Sequence, residues 1–177
     1  MATIPASSPL RAIPVPPGSV ERLIAEEHAE IRVHLGYLRR LALTFPRLNA
    51  STALVHGGAV LDFLRQGLLP HAAAEEATLY PAIDSLIGVD AARIMGLDHA
   101  VIADLADELT RAAGENLTTQ DRTEAQRLLF VLEAFIRTHL WKEETVFAPL
   151  VAQLNPAAYA ALHTSIVAHG CGHGHGH

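Results

Sequence analysis

Six side chains of the kinds that hold transition metals recur along this chain in a fixed order. A lone histidine precedes a histidine with a glutamate four residues later, and the same two motifs then follow again. They are His28, then His71 and Glu75 in "LLPHAAAEEATLYPAI", then His99, then His139 and Glu143 in "HLWKEETVFAPL". Positions i and i+4 share one face of a helix, so each HxxxE pair can present an imidazole nitrogen and a carboxylate oxygen to one centre. Both pairs interrupt apolar stretches, where unpartnered polar groups are costly to bury. A cluster of four imidazoles and two carboxylates inside a small apolar protein therefore demands a cation. The mixed nitrogen and oxygen donors suit iron or manganese ahead of zinc, and are poorer in carboxylate than a ferritin-like Glu-x-x-His site. The two near-equivalent halves point to two near-equivalent metal positions.

Helices must position these groups. Apolar periodicity predicts a first helix over 19–45, capped by Ser19 and stopped by Pro46, with His28 on the stripe of Val20, Leu23, Ile24, Ile31, Leu35, Leu38 and Ala42. A second spans 51–86 with a kink at Gly67 and Pro70, its inward row reading Leu54, Leu61, Leu64, Leu68, His71, Glu75, Leu79 and Ala82. A third covers 90–113 before Gly114, with Met95, His99, Ile102, Ala106 and Leu109 inward. A fourth covers 119–154, with Leu128, Leu132, Ile136, His139, Glu143 and Leu150 on one side. Asn155 and Pro156 then open a short C-terminal helix. The expected fold is all-α: an antiparallel up-down-up-down four-helix bundle over 19–154, a short fifth helix over 155–169, an extended Pro-rich arm over 1–18 and a flexible Gly/His tail over 170–177. At ~1.5 Å rise per residue, the first two hairpins return His71 to the level of His28, and His99 to that of Glu75. The third hairpin leaves His139 offset by about 9 Å. A loop or a frayed turn absorbs that offset.

Composition excludes several alternatives. The net charge is −6 with histidines neutral, and no basic cluster follows a phosphate backbone, so nucleic acid is not an expected partner. No run is long and apolar enough for a membrane span. Cys171 is the only cysteine, which rules out an intramolecular disulfide and fits a cytoplasmic setting. His34 and His56 are expected at the surface. Glu27, Glu76 and Glu144 flank ligand positions and are expected to be solvated rather than bonded to the imidazoles. Tyr37 and Tyr80, each nine residues past a ligand histidine, are expected on the far side of their helices. Tyr159 and His163 are candidates to cover one end of the site. The tail residues His169, Cys171, His173, His175 and His177 are a weak candidate for loose nickel, copper or zinc binding, with no function as the default.

With "AEEHAEI", "LLPHAAAEEATLYPAI", "GLDHAVI" and "RTHLWKEETVFAPLV" in order, the chain resembles the hemerythrin-like (HHE cation-binding) family over about residues 19–154. The resemblance implies a four-helix bundle enclosing two iron ions in an oxo- or hydroxo-bridged di-iron centre, with His28, His71, Glu75, His99, His139 and Glu143 as ligands. One position departs from the oxygen-carrying members: Ala103 stands where they have the second histidine of an HxxxH on the third helix. A carboxylate-richer set favours the ferric state over reversible oxygen storage. The resemblance therefore implies handling of a small oxidant (peroxide, nitric oxide or dioxygen) in oxidative or nitrosative stress defence, with peroxidase-type turnover and an unidentified electron donor. The alternative is a non-enzymatic oxygen, iron or redox sensor or storage protein.

Overall fold

The computed structural model describes residues 16, 18–88, 90–114 and 117–170. Residues 171–177 of the Gly/His tail and nearly all of the N-terminal arm, with the expectations attached to them, lie outside the described residues. The described residues are helical and contain no strand. None of their helices is long and apolar enough to cross a membrane.

Local chemistry sets the helix ends. Helix α1, Val20–Thr44, starts where the Ser19 hydroxyl accepts from the Arg22 N–H, and passes into a 3-10 turn at Phe45–Arg47 where Pro46 intervenes. Asn49 caps α2, Ala50–Asp62, in the same way. The chain then stays helical through a π segment, Phe63–Leu68, into α3, Leu69–Ala77, and α4, Leu79–Ile87. Gly88 ends α4 at φ 63°, a left-handed conformation that only glycine adopts without cost. Helix α5 runs Ala91–Ala112. Helix α6, Thr119–Lys142, opens on a capping box between Thr118 and Asp121. A second π segment, Glu143–Phe147, leads to α7, Ala148–Val151, and Asn155 caps α8, Pro156–Gly170.

The second and fourth predicted helices are therefore not continuous α-helices, and proline explains each departure. Pro70, Pro81 and Pro149 lack the N–H that would bond four residues back. Ahead of Pro70 and Pro149 the ladder widens to five residues, with Leu69 N–H on the Leu64 carbonyl and Ala148 N–H on that of Glu143. Ahead of Pro81 it breaks at Thr78, φ −130°. The wide turn at 63–68 rotates everything before it, so α2 buries Ala53, Gly57 and Val60 while Leu54, predicted inward, is exposed. The inward rows predicted for the first and third helices are buried apart from a half-buried Leu23.

Helix α1 packs on α6, α5 packs on α6, and α3 and α4 pack on α5, as in a helical bundle. The apolar interior falls into two clusters. One contains Leu35, Leu64, Ile102 and Ile136; the other contains Ile24, Leu79, Met95 and Phe147. On every long helical stretch the change from one cluster to the other happens at a buried histidine or glutamate: His28 between Ile24 and Ile31, His99 between Met95 and Ile102. The polar residues form a layer across the core. Helix α8 adds Leu162 to the second cluster and fastens to the start of α1, where the Tyr159 hydroxyl accepts from Val20 N–H at 3.0 Å and His163 Nε2 meets the Gly18 carbonyl at 2.8 Å. Tyr159 and His163 thus close the end of the protein beyond that cluster and do not touch the layer itself.

Candidate metal centre

All six predicted residues meet in this layer, and five of them are buried; His71 is half-buried. Two groups have donor atoms mutually within 4.8 Å: Glu75, His99, His139 and Glu143, and His28, His71 and Glu75. Glu75 belongs to both. Its Oε1 lies 3.2 Å from His71 Nε2 and 3.7 Å from His28 Nε2, while Oε2 lies 3.6 Å from His99 Nε2. Glu143 is divided likewise, with Oε2 3.4 Å from His28 Nε2 and Oε1 3.4 Å from His139 Nε2. Each carboxylate therefore offers one oxygen to the His28/His71 side and the other to the His99/His139 side.

The outer nitrogens explain why the inner ones face the centre. His28 Nδ1 is 3.0 Å from Glu144, His99 Nδ1 2.8 Å from Glu76, His139 Nδ1 3.1 Å from Asp98 and His71 Nδ1 3.4 Å from Glu27. A carboxylate at Nδ1 accepts its proton and leaves the Nε2 lone pair pointing inward, the arrangement common around metal-bound histidines. Glu144 is itself held by Arg32, and Asp98 by Lys142. The expectation that Glu27, Glu76 and Glu144 are merely solvated is thus corrected, and Asp98 is a partner that sequence reasoning missed. Sequence adjacency was the one signal available: each of the four carboxylates is the immediate neighbour of a ligand candidate, but the imidazole it meets lies on another helix.

Tyr80 also departs from expectation. It is fully buried, and its hydroxyl donates to Glu143 Oε1 and lies 3.3 Å from Glu75 Oε2 and 3.2 Å from His99 Nε2. The break at Thr78 turns α4 relative to α3 and brings the phenol inward. Tyr37 stays away from the layer and bonds His56 at 2.6 Å, so His56 is half-buried rather than a surface group. His34 is exposed, stacked on Phe63 at 4.2 Å.

The charges in this layer draw positive charge. Burial works against protonating His71, but Glu75 and Glu27 overcome it and raise its pKa to about 10. Burial would likewise raise Glu75, yet His71 and His28 hold it well below the usual carboxylate range. Burial, with Glu75 and Glu143 beside it, drives the Tyr80 phenol far up. Among the described residues, four buried side-chain atoms have no hydrogen-bond partner: His28 Nε2, His71 Nε2, Glu75 Oε1 and Glu143 Oε2. Unpartnered buried polar atoms cost roughly 1–3 kcal/mol each. Donors bound about 2.1 Å from one ion lie roughly 3.0–3.4 Å apart, close to the separations across this cluster. Histidine nitrogen and carboxylate oxygen at these distances fit a bound cation.

A family model for the hemerythrin HHE cation-binding domain matches residues 19–158. The chain belongs to this family. Comparison with curated proteins, and with solved structures, returns no match. The HHE match covers every residue of the layer, and the buried His/Glu group is fit to hold a metal.

The carboxylates behind the imidazoles give a direct test of this HHE site. Asp98→Asn keeps the shape but removes the charge that orients His139 and pairs with Lys142. It is expected to weaken metal affinity about 10–100-fold, measured by competition with a coloured chelator, with the helical circular dichroism unchanged. Tyr80→Phe removes the donor to Glu143. It is expected to destabilise the metal-free chain by about 1–3 kcal/mol and the metal-loaded chain by less, as read from paired denaturant titrations.

Proposed function

We propose that this HHE protein holds two iron ions with His28, His71, Glu75, His99, His139 and Glu143, and uses them on a small oxidant such as peroxide, nitric oxide or dioxygen. The observation that carries the reading is the set of four buried donor atoms left without hydrogen bonds, aimed at one another across a layer with two carboxylates shared between two histidine pairs. Manganese and zinc rank behind iron for this donor set. We further propose the antiparallel up-down-up-down topology, which lets the four long helical stretches each contribute at one level.

Bound iron would supply Lewis acidity and one-electron redox changes. The chain's own residues do the rest. Glu27, Glu76, Asp98 and Glu144 fix the four imidazoles with Nε2 inward. Glu75 and Glu143 span the two halves. The Tyr80 hydroxyl keeps a proton at Glu143 Oε1, within reach of an incoming ligand. The apolar clusters above and below keep bulk water from the layer except on the side where His71 is partly exposed. The six side chains offer two nitrogens and two oxygens to each side of the layer, which would leave room on an ion held there for such a ligand. A role in oxidative or nitrosative stress defence follows from that chemistry.

The test is turnover. Iron-loaded protein is mixed with hydrogen peroxide, with and without nitric oxide, in the presence of a reductant. Many equivalents consumed per iron pair support the reading; a single slow stoichiometric bleaching contradicts it and favours a sensor or storage role.

A further inference from the structure

A cavity of about 560 Å³ lies beside the layer, between α1, the helical stretch from Phe63 to Leu79, and α8. Pockets that hold organic ligands span roughly 300–1,000 Å³, so this space far exceeds what a peroxide or a diatomic gas needs. Its walls are mostly apolar, with Leu23, Ile31, Phe63, Leu79 and Ile166 among them. Its polar lining has Glu26, Glu27 and Glu30 from α1 with His34, His71 and Glu75, and no lysine or arginine. Glu26 is neutralised by Arg22 and Glu27 faces His71. Glu30 is exposed and enters no ion pair among the described residues. The cavity ends on His71 and Glu75. The His71 side chain is 13% exposed, against 0%, 7% and 3% for His28, His99 and His139, so this is the side on which the layer meets the outside.

We propose that the cavity binds an organic ammonium compound, its apolar body against Leu23, Ile31, Phe63 and Ile166 and its cationic group beside Glu27 and Glu30. Apolar burial supplies affinity and the unmatched carboxylate selects the charge, since an anion there would be repelled and a neutral head left unpaired. A molecule seated there covers the exposed side of His71. The proposal goes beyond the metal reading and does not depend on it, because most of the wall is built from residues that hold no metal.

Calorimetric titration of the full chain, iron-loaded and metal-free, with 4-phenylbutylamine, 4-phenylbutanol and 4-phenylbutyrate tests it. The amine is expected to bind at least tenfold more tightly than the alcohol, and the acid not measurably. Glu30→Gln should cut the amine's advantage several-fold and leave the alcohol unchanged. Leu23→Trp and, from a different helix, Ile166→Trp should each fill the space and abolish binding, with circular dichroism showing that the fold persists. Equal affinity for the three compounds overturns the proposal, as does binding that survives both tryptophan variants in folded protein. Binding seen only after removal of residues 1–15 also overturns it, because the chain's own arm is then the occupant. Iron content, measured on the same samples, reports on the metal centre separately.

Discussion

Glu75→Ala is expected to remove both metal ions, lowering bound iron from two per chain to none after desalting at micromolar protein. Each histidine serves one side of the layer, and although Glu143 also reaches both sides, Glu75 is the residue that belongs to both donor groups among the described residues. Its Oε1 faces His71 and His28 and its Oε2 faces His99. Losing even one of the carboxylates that only orient an imidazole costs about 10–100-fold in affinity, so losing a shared ligand should cost more than 100-fold. Removing one partner of a buried charged pair is destabilising in the metal-free chain, so iron content is read on protein that circular dichroism shows to be folded. Elemental analysis after loading, alongside circular dichroism, reads both outcomes. Two irons retained at unchanged affinity would mean that Glu75 is not a shared ligand.

The second large effect is a reversal of pH dependence between the metal-free and loaded chains. In the metal-free protein the His71 pKa is raised to about 10, from about 6.5 in the unfolded chain. A raised folded value contributes stability that is fully present below the unfolded pKa and is lost as pH climbs through the folded one. Metal-free stability should therefore fall between pH 6.5 and 10, by up to about 1.4 kcal/mol per pH unit for one proton. Glu75, held below its usual range, acts on the other side: its contribution is present above the ordinary carboxylate pKa and disappears in acid. Metal binding requires neutral His71, so over the same alkaline window affinity should rise up to about tenfold per unit. Denaturant titrations of the metal-free chain and of a cobalt-loaded chain should diverge as pH rises. His71→Gln should remove most of the slope in the first and most of the binding in the second; His139 supplies the remaining slope, since burial works against its protonation but Glu143 and Asp98 outweigh it. Parallel curves would contradict the assignment of His71 as the group that proton and metal compete for.

Four of the six central residues, His71, Glu75, His139 and Glu143, were legible in the sequence because HxxxE is local. Four residues along one helix fix which side chains share a face, whatever the neighbouring helices do. The inward rows around His28 and His99 were legible for the same reason, apart from Leu23. What surrounds the centre was not. That Asp98 meets His139, or Glu144 meets His28, depends on how two helices are set against each other, which no single-helix spacing encodes. Tyr80 and Leu54 were misplaced because their positions were counted at 100° per residue through Pro70 and Pro81, where the backbone widens or breaks. The prolines were visible; the direction in which the chain would turn was not.

Crystals of the full chain grown with saturating ferrous salt, measured for anomalous scattering at the iron edge, test the central claim most directly. The account requires two iron peaks between Glu75 and Glu143, one beside His28 and His71 and the other beside His99 and His139. A single peak, or none with the six side chains in place, would contradict it.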